Sequence, residues 1–280
     1  MPAPLFFFRS KPILPGFALS FGFSSLYISF VILIPLSALL VNAADMSWAA
    51  YWAAITDARV LQSYRVTLTA ALYSTVAATL IGVILAWIIT RYEFPGRRLI
   101  DALVDLPFAL PTSVAGITLS ALFIPSGWLG RWFELFGWKI AYAFPGIVVA
   151  MIFTGLPFIV RSLQPVMEEI EAEQEEAAAT LGARKWQIFC KVIFPTLVPA
   201  LITGSSQAFI RSLGEFGAVI MIAGNIPFQT EVTSLMIFVR LQEFNYSAAA
   251  AIASVVLVAS LLLLFLLQLV QVKIFQRHAR

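Results

Sequence analysis

The run Val255-Val256-Leu257-Val258-Ala259-Ser260-Leu261-Leu262-Leu263-Leu264-Phe265-Leu266-Leu267 decides the class of fold. It is the middle of a stretch, Tyr246 to Val272, that contains no Asp, Glu, Lys or Arg. About 20 apolar residues in a helix cross the roughly 30 Å hydrocarbon layer of a bilayer. Five further runs approach or exceed that length: Phe17–Val41, Val66–Thr90, Ala102–Ile124, Pro145–Leu163 and Pro199–Ala223. In lipid a backbone must satisfy its own hydrogen bonds, so such runs are predicted to be helices. The expected fold is an all-α integral membrane protein with six transmembrane helices.

Composition agrees. Of 280 residues, 60% are hydrophobic and 12% charged, and the mean hydropathy is +0.91. Soluble domains carry about 25% charged residues, so a soluble enzyme is excluded. No basic face is clustered enough for a nucleic-acid partner. Cys190 is the lone cysteine and His278 the lone histidine. Neither a disulfide nor a metal site is therefore expected, and no catalytic set is apparent. Arg9 and Lys11 ahead of the first run, with Asn42-Ala43-Ala44 behind it, are reminiscent of a signal peptide. Signal peptides carry apolar regions of only about 7–15 residues, so this run of 25 is read as a retained span.

Cytoplasmic loops carry an excess of Lys and Arg. With the N-terminus inside, 12 basic residues fall inside and 5 outside, and Arg211 lies within a span. The inner set includes Arg91, Arg97, Arg98, Arg161, Arg184 and Lys185; the outer set is Arg59, Arg65, Arg131, Lys139 and Arg240. An even number of spans then returns the C-terminus to the cytoplasm. Trp48, Tyr51, Trp52, Trp128, Trp132, Trp138 and Tyr142 form an aromatic belt at the outer interface. Within Ser126–Lys139 a short amphipathic helix is expected in the plane of that interface.

Between the fourth and fifth spans lies a hydrophilic loop. Six of the 15 acidic residues fall between Glu168 and Glu176. Alanines from Ala177 to Ala179 favour a helix, and Gly182 suits a left-handed terminating residue. Ile170, Gln174, Ala177, Ala178 and Leu181 share one helical face. A second helix over Ala183–Phe194 is expected to end at Pro195. By itself the loop reads first as a solvated acidic connection, and second as a small-residue surface that lies in a cleft of another protein.

The spacing Glu176-Ala177-Ala178, then Gly182, then Val192-Ile193-Phe194-Pro195 resembles the coupling-loop signature of permease subunits in bacterial ABC importers. Val192 and Phe194 replace the more usual isoleucine and leucine. The resemblance implies a type I importer fold, with Glu176, Ala177, Ala178 and Gly182 docking on a separate ATPase. It covers Val66 to about Val272. The implied division is residues 1–65 with the first span, a permease core over 66–272 with its coupling loop at about 168–195, and a cytoplasmic tail at 273–280. None of the five lysines follows a glycine, so the chain has no P-loop. ATP and Mg would be bound by the partner ATPase, and this chain would itself be no enzyme and hold no cofactor.

Two stretches, Asp105–Gly116 and Arg211–Val219, together with Glu231–Phe244, resemble the T-type permease of the sulfate/thiosulfate importer. The molybdate permease shares the first two more loosely. The resemblance implies a second, W-type permease, two ATPase subunits and an extracytoplasmic sulfate-binding protein in a bacterial plasma (inner) membrane. A molybdate or tungstate permease is the alternative within the class. An ion-coupled secondary transporter is the alternative outside it, and would need intramembrane carboxylates, of which only Glu215 is offered.

Arg211 and Glu215 lie four residues apart, as neighbours on one helical face would. A charge at the centre of a spanning helix costs about 2.5–3.5 kcal/mol. Either the two pair to hold helix packing, or Arg211 with Ser212 touches a passing oxyanion. Gly214 and Gly217 are expected to admit a neighbouring helix. Pro107 and Pro111 interrupt the third span, where Thr112 and Ser113 either line a pathway or bond back to their own turn. Asp101 and Asp105 are read as interfacial caps.

The charge asymmetry yields a test of orientation. With Cys190 replaced by serine, a cysteine at Lys139 should react with a membrane-impermeant thiol reagent added outside. One at Arg98 should react only after permeabilisation. The opposite pattern would reverse the topology.

Overall fold

The computed structural model describes residues 16–170 and 172–278. Arg9, Lys11, Glu171 and Arg280, and the side chains of Lys273, Arg277 and His278, lie outside the described residues. All regular structure in the described chain is helical. In order the helices are α1 (Phe17–Ile28), α2 (Ile34–Ala44), α3 (Trp48–Ile55), α4 (Ala58–Arg91), α5 (Arg97–Val104), α6 (Leu106–Ala109), α7 (Thr112–Phe123), α8 (Gly130–Leu135) and α9 (Phe144–Glu169). They continue with α10 (Ala172–Thr180), α11 (Lys185–Ile188), α12 (Phe194–Leu213), α13 (Gly217–Ala223), α14 (Thr233–Gln242) and α15 (Tyr246–His278).

Five of the described helical stretches are long and apolar enough to cross a membrane: Leu19–Ala44, Ala58–Arg91, Phe144–Glu169, Lys185–Leu213 and Tyr246–Leu269. α7 is apolar but shorter. Local chemistry sets the boundaries. Asp57 opens α4 by accepting from the amides of Arg59 and Val60, and Ser47 opens α3 by accepting from Ala50. α4 stops where Tyr92 turns extended, three residues before Pro95.

The core is built around α9, which packs between α4 and α12. Ile159 is completely buried there, with Gly82 of α4 on one side and Gly204 of α12 on the other. A methyl group added at Gly204 would come within 2.9 Å of the Ile159 Cα, and one at Gly82 within 2.7 Å of its Cγ2. Lipid is as apolar as leucine, so spanning helices associate through such close contacts rather than by hydrophobic exclusion. The first spanning helix lies outside this core and rests on α15.

Several boundaries differ from expectation. The fourth span is longer, running Phe144–Glu169 through Pro157 and Pro165, so Arg161 sits in a helix and not in a loop. Arg59 and Arg65 likewise lie in α4. Pro195 does not end the second loop helix. α11 continues through a widened π turn, Phe189–Ile193, straight into α12. Proline has no N–H, and its ring crowds the carbonyl four residues back. The wider turn relieves that crowding, with the Phe194 amide bonding Phe189 O. The same arrangement joins α1 to α2 through Ser29–Leu33, just ahead of Pro35. The fifth span stops at Leu213, and α13 is a separate helix after the break at Gly214–Phe216.

Of the two glycines expected to admit a neighbour, only Gly217 does. A Cβ there would lie 2.1 Å from Thr112 Oγ1, whereas at Gly214 nothing is closer than 4.0 Å. Gly116 gives the same close approach, facing Ala218 O. The broken third span and the broken fifth span therefore meet, α7 against α13.

Gly204→Val should destabilise by about 1–3 kcal/mol through overpacking, read as a lower unfolding temperature of the solubilised protein. Gly22→Ala in α1, where nothing lies within 4 Å of the added methyl, should leave it unchanged.

Candidate functional site

At the end of the bundle where α4 finishes and α5 begins, a hairpin projects from the core. α10 carries Glu176, Ala177 and Ala178, and Gly182 reverses the chain with φ of +82°. That left-handed value is one glycine reaches without strain. The Gly182 amide bonds Ala179 O and the Ala183 amide bonds Ala178 O, which closes the helix end. Ala178 and Ala183 rest on the core. Leu181 and Trp186 stand out from it, 89% and 72% exposed. The expected face is thus divided: Ile170 is buried in the bundle beyond the end of α9, and Leu181 points to solvent.

The hairpin is tied down by contacts absent from the sequence reading. Arg91, the last residue of α4, lies 2.7 Å from Glu175 and stacks over Trp87 at 5.3 Å. Trp87 meets Phe189 edge-to-face, and Phe189 stacks on Trp186. The hairpin is therefore joined both to α4 and, through the unbroken helix, to α12.

Deeper in the same half, Arg161 of α9 reaches the broken third span. Its Nε and Nη2 donate to the two Asp105 oxygens at 2.8 and 2.6 Å. Nη1 donates to Asp101 Oδ1 at 2.6 Å and to Gln164 Oε1, and Nη2 also to Asp101 O. All five N–H groups of the guanidinium are occupied. Asp101 and Asp105 are thus ion-pair partners and not caps, and Asp105 makes no capping bond to α6. They sit four residues apart, so both can face one arginine. That spacing, with Arg161 inside the fourth apolar run, was the available signal.

At mid-depth, Ser212 is buried, bonded to Ala208 O and facing Ser74 of α4 at 3.4 Å. Ser74 lies midway along α4, which sets the level of this region. Arg211 Nη1 is 2.7 Å from Glu215 Oε2. The pair exists, but Glu215 lies beyond the end of α12 and not on its face. Its other oxygen accepts from the Ala218 amide at 3.1 Å and so caps α13, while its carbonyl accepts from Ser234 Oγ. Thr112 and Ser113, half-buried at the start of α7, abut Gly217. At the opposite end Arg59 forks the buried Glu231, and Thr67 of α4 accepts from the Thr233 amide. That junction too was unread in the sequence.

Residues 78–279 match the family model described as binding-protein-dependent transport system inner membrane component. The chain belongs to that family. The chain is 56% identical to the sulfate transport system permease protein CysT of Escherichia coli (strain K12) over 273 residues, 98% of this chain and 99% of that one. It is 44% identical to the CysT protein of Synechocystis sp. over 88% of this chain and 86% of that one. Among solved structures, a bacterial alginate ABC transporter in complex with its periplasmic protein aligns with TM-score 0.74 and 18% identity, over 89% of this chain and 91% of that one. The MetNI methionine ABC transporter aligns at 0.59 and 17%, over 82% and 99%. At such identities the structural matches establish the permease fold alone.

Arg161 gives this permease fold a testable tether. Arg161→Lys keeps the charge but loses the fork. The partners are part-exposed, so solvent screening reduces the loss to about 1.4 kcal/mol. Amides of α5 should then exchange about tenfold faster, with exchange in the α9 core unchanged. Equal exchange in α5 would show that Arg161 does not hold it.

Proposed function

We infer that this chain is a permease subunit of an ATP-driven importer that carries sulfate and thiosulfate across a bacterial plasma membrane. The observation that carries this is its 56% identity, end to end, with a sulfate transport system permease. Six spans are counted by adding the broken α5–α6–α7 segment to the five long apolar helices. The first span stands outside a permease core that holds the rest. Both termini lie in the cytoplasm. In favour of this, Arg91, Arg97, Arg98, Arg184 and Lys185 fall at the hairpin end of the bundle and the exposed tryptophans Trp48 and Trp128 at the other.

The α10–Gly182–α11 hairpin is the coupling element. Its exposed Leu181 and Trp186, beside the small side chains of Ala177 and Ala179, form a tip suited to a groove on an ATPase subunit. Glu176 keeps the flank acidic. Two ATPase subunits bind ATP and Mg and close on each other. The hairpins move with them, and α12 and α4 follow through the continuous helix and the Arg91–Glu175 contact. A W-type permease supplies the other half of the path, and an extracytoplasmic binding protein delivers the anion. Transport proceeds by alternating access, with Arg211, Ser212, Glu215, Thr112 and Ser113 around the gate.

Gly182→Pro tests the coupling role. Proline fixes φ near −65° and cannot adopt the +82° of this turn. Sulfate uptake by proteoliposomes holding the full complex should fall at least about tenfold, while membrane insertion stays normal. Binding-protein-stimulated ATP hydrolysis should be lost with it. Uptake at the parent rate would remove the hairpin from the coupling pathway.

A further inference from the structure

The arginines of this chain divide by how their donors are used. Arg161 spends all five N–H groups on Asp101, Asp105 and Gln164. Arg59 aims two at Glu231. Arg211 differs: Glu215 Oε2 lies 2.7 Å from its Nη1, yet that oxygen receives no aligned hydrogen bond. Among the described residues no acceptor is hydrogen-bonded by Arg211. The carboxylate therefore meets the guanidinium at one nitrogen, and among the described residues the other N–H groups of Arg211 have no acceptor.

Exposure separates the pair further. The Glu215 side chain is 1% exposed and that of Arg211 34%. Glu215 is fixed inward by the Ala218 amide. Arg211 lies beside Ser212, which is level with the midpoint of α4, so its exposed edge is deep in the membrane. One and two turns back along α12 stand Gln207, exposed, and Thr203, partly exposed. Residues spaced by four share a helical face. α12 packs against α4, α9 and α15, and along this face Gln207 is exposed and Arg211 and Thr203 partly so. A polar face with an arginine is costly against lipid and is found facing a cavity or water.

We propose that Arg211, with Gln207, forms a transit subsite for a tetrahedral oxyanion on the path side of α12; the Thr203 hydroxyl, bonded to Pro199 O, borders it. The planar fork of a guanidinium matches two oxygens of such an anion. Glu215 lowers the net charge, so the anion is held weakly enough to leave, as conduction requires. The subsite rests on the transport reading above and gives it a substrate-contacting residue.

The test uses the complete complex in proteoliposomes with Cys190→Ser, because Cys190 is exposed, and Gln207→Cys. Labelling is compared between a sulfonate-bearing and a trimethylammonium-bearing methanethiosulfonate. Relative to their rates with a free thiol, the anionic reagent should be favoured several-fold, because the guanidinium one helical turn away is partly exposed and the Glu215 carboxylate is buried. Arg211→Gln, made together with Glu215→Gln so that no carboxylate is left unpaired, should abolish the preference. Sulfate with binding protein should slow the anionic labelling several-fold, and chloride should not. A preference unchanged by the double substitution would overturn the subsite. So would the absence of labelling by either reagent in a complex that imports sulfate, since this face would then be sealed by protein. Sulfate uptake by the Cys190→Ser parent is measured in parallel. Its absence, with the charge preference intact, would count against the transport reading and not against the anion site.

Discussion

Inside a bilayer no water is at hand to satisfy a backbone that leaves its helix. Every interruption of a spanning helix must therefore be placed against protein or a polar cavity. Among the described residues the third span breaks at Leu110–Pro111 and the fifth at Gly214–Phe216, and the fold packs α7 and α13, the helices that follow these breaks, together. Gly116 and Gly217 remove the side chains that would keep α7 and α13 apart. The Glu215 carboxylate satisfies the freed start of α13, and Ser234 takes up the Glu215 carbonyl. The helices that follow the two breaks thus meet, close to Ser212 at the level of Ser74, and the regular helices around them serve as walls.

Above and below that meeting point, charge pairs fasten the walls to one another. Arg161 fastens the half of the third span nearer the hairpin, and Arg59–Glu231 the opposite end of α4 to the segment before α14. Each is a forked guanidinium, which holds direction as well as distance. The mid-depth pair lacks that fork. Two rigid fastenings with a looser one between them fit a bundle that must hold its ends while its middle rearranges.

Much of this was legible in the sequence, because the bilayer imposes length and apolarity on each span. The spans over Val66–Thr90 and Tyr246–Val272 needed only extension. The turn at Gly182 was legible because a left-handed position selects glycine. The misreadings share one cause: local signals were given the weight of boundaries. Pro195 was read as a stop, but a helix can widen ahead of a proline. Arg161 was counted with the inner charges although it falls within the expected span Pro145–Leu163. Its partners lie at Asp101 and Asp105, about 60 residues away, and no window along the chain reveals such a distance. Asp57, Arg240 and Glu243 gather at the far end for the same reason, unseen until the helices are assembled.

The π turn at Phe189–Ile193 has a consequence for how this lineage can change. A π turn houses one residue more than an α turn. Loss of a single codon within it would return an ordinary helix, and gain of one elsewhere in the stretch would recreate the bulge. Either event would leave the hairpin in nearly the same phase about the α12 axis, because the wider turn absorbs the extra residue within a single turn, and would leave the packed glycines at Gly204 and Gly82 in place. The fold thus holds a joint that tolerates a change of length between the projecting hairpin and the spanning helix, and the two can diverge along separate evolutionary courses.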